Sequence, residues 1–333
     1  MKRERRLGLD WELWVIENLL AGADADEIIA TLRSQGIDDD EAARQVHALR
    51  DNPRFVGMLG RSRRAAMAEQ LVRLRRQLRG VETLDTATEM SRSRFHADYW
   101  QRNRPVQLRA RLFKHVPAVR SWTLASFAQR FGELRVEVNV RRDEAARRAE
   151  VERVVESMTL GAFIHSLAGA DSNERYIVSS CGLLSRPELA ALGNELTGLP
   201  PFVSRPKLPA GASLWIGPKG TRTAAHFDPH NVLLLQLEGR KRVRLVPPDQ
   251  LGFTDEMDDY FAALDPDDPA LAQREDFEPA SVIELTLRPG EALFVPAGWF
   301  HEVTALDPSM TLSLLSFPWD NDFHWLRPLA SAT

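Results

Sequence analysis

Between residues 9 and 80 the apolar positions recur every three or four residues, the period of a helix with one buried stripe. Trp11, Trp14, Val15 and Leu19 define the first stripe. Asp24 or Asp26 can cap a second helix carrying Ile28, Ile29 and Leu32, with Gly36 as its stop. Asp38 to Asp40 offer caps for a third, carrying Ala42, Val46 and Leu49, and Asn52-Pro53 closes it. In a longer helix that follows, Met67, Leu71, Leu74 and Leu78 stand at heptad-like intervals among arginines. Val81 to Met90 is polar and reads as a linker.

From Phe95 the texture changes. Phe95 to Val106 reads as a short helix, a turn and a strand, and Trp122 to Phe127 opens another helix. Leu134 to Val140 alternates as a strand, and Thr159 caps a helix that runs toward Leu167. Strands then crowd together: Tyr176–Ser179, Ala212–Gly217, Asn231–Leu237, Arg240–Val246, Ser281–Leu287, Ala292–Val295 and Met310–Phe317. The acidic segment 253–278 reads as an excursion over the surface. Many short strands with Gly and Pro turns point to a sandwich or barrel. A double-stranded β-helix, or jelly roll, brings such a set together. The expected fold is mainly β with α: a helical region over residues 1–80 and a jelly-roll domain over 81–333.

Composition narrows the setting. The chain is 44% hydrophobic and 27% charged, which excludes wholesale disorder. A single cysteine, Cys181, excludes an internal disulfide framework and a cysteine-rich zinc site. That favours a reducing, cytoplasmic location. No apolar run approaches the ~18 residues of a membrane span. The net charge of −4 by itself implies no nucleic-acid partner. Charge is uneven, however: residues 50–80 carry nine Lys/Arg against two acids, and residues 253–278 carry ten acids against one Arg. Both read as solvated faces, with nucleic-acid contact by the arginine-rich helix as the lesser alternative. The helical region has three open roles: packing on the main domain, presenting substrate, or forming a homodimer.

The chemistry concentrates in Thr223-Ala-Ala-His226-Phe-Asp228-Pro-His-Asn231. In a strand the side-chain period is two, so His226 and Asp228 leave the same face. His301 lies 75 residues further on, inside Pro289-Gly-Glu-Ala-Leu-Phe-Val-Pro296-Ala-Gly298-Trp-Phe-His301. Two histidines and one carboxylate on one face, with other positions open, form the ligand set of non-haem Fe(II) oxygenases. Zinc favours sulfur or a third histidine. His230 reads as a neighbour of this set rather than a member, and Glu302 should point to the opposite face.

Lys241 adds a second clue. It shares a face with Val243 and Leu245, while Arg240, Arg242 and Arg244 occupy the other. If the apolar pair points inward, so does the lysine. A cation buried alone is costly, so an anion such as a small dicarboxylate should meet it. Thr223 and Asn231 are placed to help hold that anion. The alternative puts Lys241 on an outer basic strand with its arginine neighbours.

From about Phe95 to Trp319 the chain resembles the JmjC/cupin-like 2-oxoglutarate oxygenases, and among them those that hydroxylate protein side chains. The matching pieces are Asn103-Arg-Pro-Val106, Thr223-x-x-His226-x-Asp228, Asn231, Gly239-x-Lys241-Arg242, Val246-Pro-Pro248, and Pro289-Gly-Glu291 with Pro296-x-Gly298-Trp-x-His301. The resemblance implies Fe(II) on His226, Asp228 and His301. It implies 2-oxoglutarate held by Lys241 and Thr223, with Asn231, Tyr176 and Ser316 as further contacts, and O2 as the oxidant. It implies hydroxylation of a peptide or protein side chain with release of succinate and CO2. A tRNA-base hydroxylase and a non-catalytic metal- or ligand-binding sensor are the alternatives. Where such proteins often carry an asparagine near the last core strand, this chain has Ser313 and Ser316. The step from Asp228 to Asn231 is also one residue shorter than in some relatives.

Overall fold

The structure is a computed structural model that describes residues 8–79, 83–140, 142, 154–208, 211–253, 257–258, 260–262, 264–266, 268–274 and 276–326. It divides into two compact units, Met1–Gly80 and Val81–Thr333. The first holds α1 (Leu9–Ala21), α2 (Ala25–Ser34), α3 (Asp39–Arg50) and α4 (Pro53–Arg79). The Asp24 carboxylate accepts from Asp26 N at the start of α2, and Asp38 accepts from Glu41 N at the start of α3. These side chains satisfy amides that a helix start leaves without partners. Val15, Leu19, Ile28, Ile29, Leu32, Ala42 and Val46 close a small core, and Phe55 from the first turn of α4 completes it. Asn52-Pro53 ends α3 and also starts α4, because Asn52 Oδ1 accepts from Arg54 N and proline suits a first helical position.

The second unit is built on two six-stranded sheets. Its strands are β1 (Asp85–Ala87), β2 (Val106–Leu108), β3 (Arg135–Asn139), β4 (Val155–Thr159), β5 (Ala212–Gly217), β6 (Arg222–His226), β7 (Val232–Glu238), β8 (Lys241–Val246), β9 (Met257–Asp258), β10 (Phe261–Ala262), β11 (Ile283–Leu287), β12 (Ala292–Val295), β13 (Phe300–Ala305) and β14 (Ser309–Leu314). One sheet runs β1-β2-β12-β7-β14-β5 and the other β11-β8-β13-β6-β10-β9, while β3 and β4 pair separately. From β5 to β8, and again from β11 to β14, successive strands alternate between the sheets. That alternation is the double-stranded β-helix expected from the sequence.

The nearly continuous apolar run of β7 has a physical reason. Val232 and Leu234 face Val243, Leu245, Leu293 and Val295 across the interior. Leu233, Leu235 and Leu237 face outward into a second core with Trp122, Phe127 and Phe163. A strand covered on both sides loses the polar half of its alternation.

Two segments differ from the sequence reading. Asp85–Ala87 lies in the stretch taken for a linker, yet it pairs parallel with β2 as an edge strand. Three residues are too few to show a period. The acidic segment contains β9 and β10, and β10 pairs with β6 so that Phe261 faces His226. Phe253, Leu271 and Phe277 anchor it in a core with Phe227 and Phe300. It therefore extends the sheet that carries His226 and His301. No helix among the described residues is long and apolar enough to cross a membrane.

Candidate metal centre

His226 ends β6, and His301 is the second residue of β13. The two strands run antiparallel with these residues directly opposite, so both imidazoles leave the same face. Their ring centroids are 4.2 Å apart. Asp228, just past the strand end, brings Oδ2 to 3.7 Å from His301 Nε2. One ligating atom from each of the three residues lies within 4.8 Å of the others. His230 Nε2 stands 3.9 Å from Asp228 Oδ2, beside this set.

The ring orientations are set by the backbone. His226 Nδ1 lies 2.8 Å from Ala224 O, and His301 Nδ1 lies 3.1 Å from Trp299 O. A carbonyl can only accept, so each Nδ1 carries the proton and donates it. Each Nε2 is left with a lone pair suited to a metal. Burial, and then the neighbouring His226, push the His301 pKa down from 6.5 to about 4. His301 is thus neutral at neutral pH, the form that ligates. Two imidazoles and a carboxylate converging on one face fit a divalent iron ion.

The loop before His301 is held from several sides. Gly298 N donates to Asp228 O at 3.0 Å, tying two of the converging residues through their backbones. Gly298 has φ +80°, a conformation that favours glycine. Asn231 Oδ1 accepts from Ala297 N at 3.0 Å, and Asn103 Nδ2 donates to Ala297 O at 2.9 Å. Trp299 Nε1 donates to Asn103 in turn, which makes the buried Trp299 a core anchor. Asn321 Oδ1 accepts from both the backbone and side-chain nitrogens of Asn231. The Asn231 amide is thus engaged with the loops around Asp228 and His301. Asn321 escaped the sequence reading because it follows the last strand, where no period marks it. Asn103 stood only inside a motif. Its φ of 51°, the one positive value outside glycine among the described residues, marks a built turn.

Thr223 reaches the same face by an irregularity. Three residues before His226, it would face away in a regular strand. The register shifts between the pairs His301↔His226 and Val303↔Thr223, so β6 carries one residue more than β13 there. This bulge returns Thr223 to the face of His226. A period-two pattern cannot reveal it.

Lys241 points inward. It is 3% exposed, and its Nζ donates to Tyr176 Oη at 3.0 Å. Among the described residues no carboxylate lies within ion-pair distance of that ammonium. Tyr176 packs against Trp215, and a Cβ on Gly217 would come within 2.7 Å of the tyrosine ring. Trp215 Nε1 donates to Ser313 Oγ at 3.0 Å. Ser316 is buried beyond β14, and Gly211 approaches it so closely that a Cβ there would collide with its hydroxyl. On the opposite face of β13, Glu302 is buried between Arg222 at 2.7 Å and Arg244 at 3.3 Å, and Arg222 also pairs with Asp265. Of the arginines flanking Lys241, Arg242 stands 3.8 Å from Glu302 and Arg240 pairs with Asp307.

The fold and this cluster define a jelly-roll protein with two histidines and a carboxylate converging on one face. The chain belongs to the cupin-like domain family, whose profile matches residues 92–323, and so to the JmjC/cupin-like oxygenases. It is similar to tRNA wybutosine-synthesizing protein 5 of Danio rerio, with 29% identity over 66% of this chain and 70% of that protein. It is similar to the human bifunctional peptidase and (3S)-lysyl hydroxylase JMJD7, with 27% identity over 63% of this chain and 76% of that protein. HSPB1-associated protein 1 of Rattus norvegicus matches at 36% over 32% of this chain, a segment that is only 23% of that protein.

Proposed function

We propose that this chain is an Fe(II)- and 2-oxoglutarate-dependent oxygenase that hydroxylates a peptide or protein side chain, releasing succinate and CO2. One observation carries the reading: a buried lysine without a carboxylate partner among the described residues lies inside the same jelly roll as the His226–Asp228–His301 face. Along β8 and β13, His301 is level with Leu245 and Lys241 is level with Ala305. That is four residues, about 13 Å of strand. The lysine side chain and a five-carbon dicarboxylate share that span. Lys241 and Tyr176 would hold the distal carboxylate, with Thr223 beside them on the bulged strand and Ser316 as a further contact.

His226, Asp228 and His301 would hold the iron, which when bound supplies the activation of O2 that no side chain can provide. The residues around it do the positioning. Ala224 O and Trp299 O keep the two imidazoles as Nδ1–H tautomers. Asn231, Asn103 and Gly298 fix the loop that sets His301 against Asp228. The apolar lining of Val232, Val243, Leu245 and Leu293 excludes water from the interior.

Support for a protein substrate comes from the similarity to a lysyl hydroxylase. The similarity to a tRNA wybutosine-synthesizing protein supports a nucleic-acid substrate. The acidic segment joined to β6 favours the peptide, since a polyanion would be repelled there. The protein loaded anaerobically with Fe(II) should, on admission of O2, convert 2-oxoglutarate to succinate. Adding a peptide library should raise turnover and give +16 Da products, whereas tRNA should not. No succinate under any condition defeats the oxygenase reading, and stimulation by tRNA alone defeats the choice of substrate.

A further inference from the structure

The long helix α4 carries a feature that the oxygenase chemistry does not use. Met67, Leu71, Leu74 and Leu78 are 62%, 57%, 50% and 78% exposed. None of the four belongs to the small core that α1 to α3 close, which among the described residues takes Phe55 from this helix. Their spacing of four, three and four residues is that of a coiled-coil seam, with Met67 and Leu74 at d and Leu71 and Leu78 at a. So narrow a stripe fits the groove of another helix better than the broad face of a sheet. A helix of 27 residues also draws most of its stability from packing of its apolar face.

We propose that α4 pairs antiparallel with α4 of a second copy of this chain. The flanking residues favour this partner and this direction. A twofold axis midway between Leu71 and Leu74 sets Leu71 against the second copy's Leu74, and Met67 against its Leu78. All four seam residues then meet apolar mates with none left over. At the flanking positions Arg75 meets Ala68, and Gln70 meets Gln77, so no like charges oppose each other. A parallel pair would instead bring Arg64, at the a position before Met67, against its own copy. The interface is isologous, as a closed dimer requires. Arg73 and Arg76 lie off the seam.

Four seam residues per helix make a short interface, so association should depend on concentration. Light scattering on the full chain across a micromolar dilution series should show mass rising toward twice the monomer. Leu71→Glu/Leu74→Glu should hold the protein at monomer mass and lower helical circular dichroism by no more than the share of α4, since both residues lie outside the core that α1 to α3 close. Cross-linking tests the direction. In a Cys181→Ser background, Met67→Cys and Leu78→Cys chains should link when mixed and neither should link alone, because like positions sit about 16 Å apart along the axis. A monomer at every concentration, a dimer that survives the double glutamate variant, or linking of either cysteine variant with itself would overturn the proposal.

Discussion

Lys241→Met keeps the length and bulk of the side chain and removes its charge, so it separates two effects of opposite sign. In the free protein the ammonium is 3% exposed and has a phenol, not a carboxylate, as its hydrogen-bond partner. Taking an ion out of water without a counter-ion costs several kcal/mol, whereas losing the bond to Tyr176 costs about 1 kcal/mol. The first effect wins, and the apo variant should be more stable by about 1–3 kcal/mol. At roughly 2–4 °C per kcal/mol for a unit of this size, its Tm should rise by several degrees. With 2-oxoglutarate the sign reverses. The variant loses a charge-assisted bond of about 1.5–3 kcal/mol, so Kd should rise by roughly ten- to 150-fold. Calorimetric titration of 2-oxoglutarate into anaerobic Mn(II)-loaded protein, beside thermal melts of the apo form, measures both. Metal affinity should not change. An unchanged Kd, or an apo variant that melts lower, refutes the assignment of Lys241 to the anion.

Three further outcomes are expected. Glu302→Ala leaves Arg222 and Arg244 without their shared buried carboxylate and should destabilise the protein by about 3–5 kcal/mol in urea denaturation. His301 has a folded-state pKa depressed to about 4 from 6.5, so the unfolded chain takes up its proton first. Metal-free protein should therefore lose stability, on the order of 3 kcal/mol, as pH falls from 6.5 toward 4, and His301→Asn should flatten that slope. Gly298→Ala places a side chain at φ +80° in the loop joining Asp228 to His301. It should cost about 1–2 kcal/mol and lower the metal content measured after dialysis.

The fold was legible where the pattern ran long. Four helical stripes before residue 80, and dense alternation after residue 210, marked a helical region followed by a jelly roll. Short or irregular pieces were not legible. Asp85–Ala87 is a strand because β2 lies beside it, and β10 is a strand because β6 offers a free edge. In neither case does the segment's own sequence compel it. Lys241 was legible through its parity with Val243 and Leu245. The bonds of Asn231 to Ala297 and Asn321 were not legible, because both partners come from segments distant in the chain.

By itself the sequence determined which residue types could hold a metal and which strands would bury both faces, because periodicity and donor chemistry are local properties. Tertiary structure decided which of them meet. It set His226 against His301 across 75 residues, returned Thr223 to their face through one extra residue in β6, and left Lys241 inside the jelly roll with the Tyr176 phenol as its hydrogen-bond partner. Register and enclosure depend on strands distant in the chain, so no stretch of sequence carries them alone.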